Sequence, residues 1–177
     1  MTVSKISLDY AKSNKLFYFV ASAVVYRKSD GRCLLLKRSE REKVHPGLWG
    51  VIGGKLEWEN LDVKNPTRIN GDVLDFEHIA EALLAREAKE EAGIKIQSQL
   101  AYLDSVAFVR PDGVPVVLVK FGAQFKLGEV VINRHDFSDF AWVNAREVRN
   151  YQTIVGISEE LQKTINIFST GYPTALA

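Results

Sequence analysis

The stretch from residue 86 to residue 93, Arg-Glu-Ala-Lys-Glu-Glu-Ala-Gly, carries three carboxylates on a predicted helix. At about 100° per residue, Glu87, Glu90 and Glu91 fall on the same side of that helix as its leucines. The opposite side carries the following four residues: Glu81, Ala85, Ala88 and Lys89. A solvated charged face would instead lie opposite the apolar stripe. Acids that repel each other at helical spacing and face inward need a cation, and Mg²⁺ or Mn²⁺ takes carboxylate oxygens. The pattern therefore predicts a divalent-cation site.

A glycine pair, Gly53-Gly54, stands at the end of a predicted short strand. Glycines at a strand end let the backbone approach a ligand closely and expose its carbonyls. We expect a carbonyl of this pair to complete the metal shell. Arg86 can hold one glutamate in place by a charge-assisted hydrogen bond.

The elements that must position these residues follow from the apolar pattern and the turn signals. Strands are expected at 17–26, 32–38, 48–52, 99–110, 114–126 and 141–143, and helices at 78–92, from Asn144 onward and at 158–168. Gly93 is expected to close the first helix in a left-handed conformation. This order predicts an α+β fold, an α/β/α sandwich with helices packed on a mixed sheet, built as a single domain over residues 1–177.

Residues 59–77 lie between the glycine pair and the acidic helix and show no regular pattern. Asn65-Pro66 and Asn70-Gly71 are turn signals, yet the segment also carries several large apolar residues. It is expected to be an ordered excursion that forms part of a substrate pocket or a dimer contact.

With these residues in place, the chain resembles the Nudix hydrolases, whose box reads G-x5-E-x7-R-E-U-x-E-E-x-G-U with U a bulky apolar residue. Residues 86–94 match its second half, with only Ala88 small for its place. "GLWGVIGGKLE" at 47–57 and "FAWVNAREV" at 140–148 also resemble the family. The departure is an insertion of about 18 residues inside the box, which leaves His78 where the first glutamate belongs. Glu57, Glu59 or Glu77 is a candidate for that place.

The resemblance implies metal-dependent hydrolysis of a diphosphate linkage in a nucleoside diphosphate derivative. Glu87, Glu90 and Glu91 are then metal ligands together with Gly53 or Gly54, and Glu87 is also a candidate general base. In other members the base comes from a later loop, where the candidates are Asp136, Asp139, His135 and Glu129. The first substrate choice is a nucleoside triphosphate, with an oxidised one in view because "PGLWGVIGGKLE" resembles the 8-oxo-dGTP diphosphatase branch. Sugar nucleotides and dinucleotides are the next choices.

Four further residues are candidates for substrate binding. Arg38 and Lys55 lie at strand ends, where a cation can bind phosphate or simply be solvated. Trp49 and Trp58 flank the glycine pair, and each is a candidate to stack on a base or to pack in the core.

The composition is ordinary for a globular protein, with 46% hydrophobic and 25% charged residues and a net charge of +1. No nucleic-acid polymer or membrane surface is therefore expected as a partner, whereas a homodimer is a candidate assembly. The single cysteine, Cys33, is expected to be a buried hydrophobe, in keeping with a cytoplasmic location. A signal peptide ending near Ala21-Ser22-Ala23 is the less favoured interpretation of the first apolar run, which has the pattern of a core strand.

The sequence leaves two alternative functions. A nucleotide-binding module without chemistry would suit the missing first glutamate but would not need three inward-facing acids. A prenyl-diphosphate isomerase would need a cysteine in the pocket, and Cys33 is predicted to lie in a core strand.

Overall fold

The structure, a computed structural model, describes residues 5–170. Its elements in chain order are nine strands and two helices, with short 3₁₀ turns between them. The strands are β1 (Tyr18–Arg27), β2 (Arg32–Arg38), β3 (Trp49–Gly50), β4 (Ile52–Lys55), β5 (Arg68–Asn70), β6 (Val73–Asp75), β7 (Lys95–Val109), β8 (Pro115–Leu127) and β9 (Phe137–Val143). The helices are α1 (Ile79–Ala92) and α2 (Ile157–Ser169). The ends of the expected domain, residues 1–4 and 171–177, lie outside the described residues.

Within residues 5–170, seven strands form one mixed sheet in the order β3-β2-β1-β8-β7. In addition, β4 pairs with β1 and β9 pairs with β2. The central pair β1–β8 is parallel, and the other pairings are antiparallel. β1 thus has β8 along one edge, while β4 and β2 share its other edge.

The two helices cover opposite faces of this sheet, because alternate residues of β1 point to opposite sides. Ala21, Ala23 and Val25 belong to the apolar cluster that includes α1. Val24 and Tyr26 belong to the cluster that includes α2. The expected α/β/α sandwich is confirmed.

Cys33 is fully buried in β2, and burial raises the pKa of its thiol to about 12. A thiol with that pKa stays protonated and unreactive near neutral pH. The expected role as a small buried hydrophobe is confirmed, and a catalytic cysteine of the isomerase type is not found at this position.

Several expected elements differ from those observed. The predicted strand at 48–52 is two short strands, with the glycine pair inside β4 rather than after it. β7 begins at Lys95 and β9 at Phe137, each four residues before its prediction. The early residues of β7 are mostly polar and exposed, and pairing with β8 makes them strand. In β9, Ser138 and Asp139 are polar and exposed next to the buried Phe137, and pairing with β2 makes this stretch strand.

The helix predicted from Asn144 onward is only a 3₁₀ turn, Glu147–Asn150. Asn144 lies before this turn, and its side-chain oxygen accepts hydrogen bonds from the amides of Arg146 (2.9 Å) and Glu147 (3.0 Å). The chain then extends beside β3, where the Trp49 amide donates to the Gln152 carbonyl and the Ile154 amide to the Trp49 carbonyl. These pairings replace the helical ones.

The segment 59–77 is ordered, as expected, and more regular than its sequence indicates. It contains the hairpin β5–β6, in which Arg68 pairs with Asp75 and Asn70 with Val73. Gly71, at the Asn70-Gly71 turn, has a φ of 61°, which a glycine adopts without strain.

Candidate active site

The glycine pair lies in β4, which pairs antiparallel with Val20–Ala23 of β1 and packs beneath α1. A Cβ atom added to Gly54 would lie 2.1 Å from Oε1 of Glu87. A Cβ atom on Gly53 would lie 2.8 Å from the Ala21 carbonyl oxygen. Glycine at position 54 therefore leaves the space that the Glu87 carboxylate occupies.

Glu91 reaches the same strand from the next turn of α1. The Gly53 amide donates a hydrogen bond of 3.1 Å to Oε2 of Glu91. Gly54 and Glu87 are far apart in the sequence, but β4 and α1 are packed by the core beneath them, which includes Ala21, Ile52 and Leu84. The extra residues lie in the connection, so the two halves of the box still meet.

The expected orientation of α1 is confirmed for Glu87 and Glu91, which are both half-buried on the sheet side. It is wrong for Ala88, which is fully buried rather than on the solvent face. Its small side chain fits the close approach of α1 to the sheet, where the family pattern has a bulky residue. The expected inward orientation is also wrong for Glu90, which is exposed.

Burial raises the pKa of Glu91 to about 8, and the charges of Glu87 and Asp136 act in the same direction. The Gly53 amide and the Arg38 guanidinium oppose this rise. The site therefore holds a carboxyl group that ionises only at a cost, as expected for an acid withdrawn from water.

The pKa of Glu87 is also raised, first by burial and further by the charges of Glu90 and Glu57. Arg86 opposes this shift, and its Nη2 lies 2.8 Å from Oε1 of Glu87. Arg86 thus makes the contact expected of it, since its guanidinium bonds to the carboxylate of a neighbouring glutamate.

Of the candidates for the first glutamate of the box, Glu57 is the one whose charge acts on Glu87. Glu77 instead forms an ion pair with Arg68 at 3.0 Å. Glu59 is exposed in the 3₁₀ turn Trp58–Asn60 that follows β4.

The loop after β8 brings Asp136 to the acid cluster. The Asn133 amide donates to the Glu91 carbonyl (2.9 Å), and the Asn133 side chain donates to the Asp136 carboxylate (2.7 Å). His135 Nδ1 lies 2.6 Å from the other oxygen of Asp136. Asn133 escaped sequence reasoning, although its spacing of three from Asp136 is that of an Asx turn.

The other later-loop candidates lie elsewhere. Asp139 is exposed in β9 opposite Lys37, and its carboxylate accepts from the Phe140 amide. Glu129 is exposed in the loop, and His135 is exposed beside Asp136. Asp136 is therefore the one of these four whose carboxylate bonds to Asn133 and whose charge acts on Glu91.

Among the substrate-binding candidates, Arg38 is held by Glu42 and by the Val44 carbonyl, and its charge reaches Glu91. Lys55 is exposed at the end of β4. Trp49 packs edge-on against Tyr151, with ring centroids 4.8 Å apart, so it lies in the α2-side cluster. Trp58 is 48% exposed beside β4.

The donor set at this site fits a hard divalent cation, because it consists of carboxylate and backbone oxygens. Among residues 5–170, no three acidic, histidine or cysteine side chains are already gathered around a point that would hold a metal. Glu91 is turned onto the Gly53 amide and Glu87 onto Arg86. The raised pKa values show acids whose negative charge a cation would stabilise.

Comparison with known proteins agrees with this geometry. The NUDIX domain family matches residues 18–161. The nucleoside triphosphatase NudI of Klebsiella pneumoniae (strain 342) is 30% identical over 133 residues, covering 70% of this chain and 81% of that protein.

Two solved structures have the same fold. The NUDIX domain of Shewanella oneidensis NrtR, complexed with ADP ribose, gives a TM-score of 0.64 at 19% identity and covers 90% of this chain and 94% of its own. The MutT protein from Methanosarcina mazei Go1 gives a TM-score of 0.59 at 18% identity, and the match covers 88% of this chain and 97% of the MutT chain.

The fold and the acid cluster thus define a hydrolase of pyrophosphate linkages. The chain belongs to the Nudix family. The helices found among residues 5–170 lack the length and hydropathy needed to cross a bilayer.

Proposed function

We propose that this protein is a Mg²⁺- or Mn²⁺-dependent enzyme that hydrolyses the diphosphate linkage of a nucleoside triphosphate. The observation that carries the proposal is the convergence of Glu87 and Glu91 on the glycine pair of β4. The name of the Klebsiella relative, a nucleoside triphosphatase, supports the choice of substrate. Sugar nucleotides and dinucleotides are the next candidates.

We assign the metal to Glu87, Glu90 and Glu91, with a carbonyl of Gly53 or Gly54. These residues would hold a divalent cation, whose chemistry there would be to neutralise phosphate oxygens and to lower the pKa of the attacking water. Arg86 holds the Glu87 carboxylate in one orientation, and the Gly53 amide holds that of Glu91. Such positioning is a large part of catalysis in phosphoryl transfer.

We assign the general base to Asp136. Its carboxylate is held by Asn133, which is itself anchored on the Glu91 carbonyl. Asp136 is thereby held next to the acid cluster, where it can take a proton from water. The alternative for the same role, Glu87, is already bonded to Arg86, which stabilises its charged form.

The test is release of phosphate and pyrophosphate from a panel of nucleotides with Mg²⁺, with Mn²⁺ and with EDTA. The panel contains nucleoside triphosphates, 8-oxo-dGTP, a sugar nucleotide and a dinucleotide. We expect metal-dependent turnover that is greatest for a nucleoside triphosphate. Turnover that persists in EDTA would contradict the metal assignment, and greatest turnover of another class would contradict the substrate.

A folded protein that binds nucleotides but turns over none of the panel would contradict the catalytic proposal. It would favour the binding-module alternative. A homodimer and a cytoplasmic location remain predictions from the sequence.

A further inference from the structure

A cavity of about 290 Å³ lies between α1 and the segment that precedes it. We call it the insertion pocket. One wall is the first two turns of α1, where Ile79, Ala82 and Leu83 line the space. The facing wall comes from the segment 59–77, which contributes Leu61 and Phe76. The pocket therefore exists because of the residues that interrupt the family box.

The facing wall is held in place by its own contacts. Arg68 pairs with Asp75 at 2.9 Å and with Glu77 at 3.0 Å, so one guanidinium joins the two ends of the hairpin region. The Thr67 amide donates to the Asp75 carbonyl (2.9 Å), and Thr67 Oγ1 accepts from the Glu77 amide (3.2 Å). Because these ion pairs and hydrogen bonds lie within the segment, the wall is ordered without a ligand and presents a preformed surface.

The pocket adjoins the candidate active site through Arg86. Arg86 lines the pocket, and the same guanidinium bonds to the Glu87 carboxylate at 2.8 Å. A group bound in the pocket would therefore lie beside Arg86, which contacts Glu87, one of the acids that we assign to the metal.

The size and lining of the pocket select one part of a nucleotide. The cavity of about 290 Å³ lies at the lower end of the range of ligand pockets, roughly 300 Å³ upward, and it has room for a ring system. Apolar residues line it on the helix side and on the insertion side, while Asn60 and Arg86 add polar groups. Apolar faces with a few polar groups match a flat heteroaromatic ring with a polar edge.

Other parts of a substrate fit this lining less well. A sugar would leave several hydroxyl groups against Leu61, Phe76 and Ile79 without partners, at a cost for each. The triphosphate would meet the Glu77 carboxylate as well as Arg86. A purely aliphatic chain would bury the polar groups of Asn60 and Arg86 without replacing their water.

We propose that the nucleobase of the substrate binds in the insertion pocket, so that the residues interrupting the family box set base recognition. This inference rests on the proposed function, since it takes the substrate to be a nucleotide. It places the base over α1 near Arg86 and the phosphates over Glu87, Glu90 and Glu91.

The experiment fills the pocket and measures binding of nucleotides that have no diphosphate linkage. Ala82→Phe places a ring into the pocket from α1. Ala85→Phe is the matched control, because Ala85 is also an exposed alanine of α1 but does not line the pocket. Leu61→Trp narrows the pocket from the other wall and serves as the second variant if the helix variant does not fold.

The dissociation constants of the four common nucleoside 5′-monophosphates are measured by calorimetry for the wild type and each variant that keeps the wild-type circular dichroism. We expect the tightest nucleotide to bind about tenfold or more weakly to Ala82→Phe, and within about twofold of the wild type to Ala85→Phe.

The proposal is overturned if the wild type binds none of the four nucleotides, or if a folded pocket-filling variant binds them as the wild type does. It is also overturned if Ala85→Phe weakens binding as much as Ala82→Phe. Because the monophosphates are not cleaved, absence of triphosphate hydrolysis would contradict the proposed function and leave this result standing.

Discussion

Glu91 illustrates how a single residue at this site is set by its surroundings. It is half-buried on the sheet side of α1, it accepts a hydrogen bond from Gly53, and its pKa is raised to about 8. A carboxyl group with this pKa binds protons and cations in competition, since both neutralise the same buried charge. The metal and pH dependence of the protein should therefore be linked through this residue.

The stability of the metal-free protein should fall as the pH rises from about 5 to about 8. In that window the folded state keeps a proton on Glu91 that the unfolded state releases, because the unfolded pKa is 4.5 and the folded pKa is about 8. Glu91→Gln has no such proton, so we expect its stability to fall less, by on the order of 3 kcal/mol. Urea unfolding in EDTA at pH 5, 6.5 and 8 measures this difference in stability between the wild type and the variant. In separate activity assays, we expect Glu91→Gln to lose activity by orders of magnitude. Parallel pH slopes would contradict the assignment of the shift to Glu91.

The two later-loop aspartates should differ in their effect on turnover. Asp136→Asn keeps the bond to Asn133 but removes the base, so we expect a fall in kcat of about a hundredfold or more in steady-state kinetics. Asp139→Asn is the matched control, because Asp139 is exposed on β9 and bonds to its neighbour Phe140. Equal losses of kcat in the two variants would show that Asp136 is not the base.

At the scale of elements, the site is the contact between β4 and α1. Gly54 of β4 leaves the space that the Glu87 carboxylate fills, and the Gly53 amide donates a hydrogen bond to Glu91. The small Ala88 lets α1 approach, and Gly93 ends the helix at a φ of 68°, as expected for a left-handed C-terminal residue. The catalytic proposal thus depends on how closely these two elements pack.

The two glycines should respond differently to the same substitution. In Gly54→Ala the new methyl group meets the flexible end of Glu87, so we expect a stability change below about 1 kcal/mol but a loss of activity of about a hundredfold. In Gly53→Ala the methyl group meets the backbone of Ala21, so we expect destabilisation of about 1 to 3 kcal/mol. Thermal unfolding and steady-state kinetics on both variants test this. An active Gly54→Ala protein would show that Glu87 need not lie against the strand.

For the whole molecule, α2 is tied to the opposite face of the sheet by a buried ion pair. Lys120 of β8 and Glu160 of α2 lie 2.7 Å apart, with side chains 14% and 8% exposed. Burial raises the pKa of Glu160, and Lys120 opposes that rise. Thr164 is fully buried one turn further along α2 and bonds to the Glu160 carbonyl (2.8 Å).

Replacing only Lys120 of this ion pair should destabilise the protein more than replacing both Lys120 and Glu160. Lys120→Met leaves Glu160 buried without its cation, so we expect a loss of about 3 to 5 kcal/mol in the free energy of unfolding. The double variant Lys120→Met with Glu160→Leu should recover most of that loss, since an apolar pair of similar size replaces the ions. Denaturant unfolding at pH 7 measures both, and a double variant as unstable as the single one would contradict this account. Activity per folded molecule should stay unchanged, because α2 lies on the face away from the acid cluster.

The sequence by itself determined what local physics controls. The apolar runs of β1 and β2 and the helical spacing of Leu83, Leu84, Glu87 and Glu91 predicted these elements to within a residue or so. The acid types on an inward face were enough to predict where the chemistry would lie, because a buried carboxylate without a partner is costly in any fold.

Only the tertiary structure decided what depends on contacts between distant segments. Asn144 to Tyr151 has a helix-like start, yet pairing with β3 draws the following residues into extended backbone. Asp136 differs from Asp139 because its carboxylate bonds to Asn133, whose amide in turn bonds to the Glu91 carbonyl. No local sequence pattern predicts these contacts. The insertion pocket likewise exists because residues 59–77 fold back over α1, since long-range packing sets the position of a loop and local sequence sets only its turns.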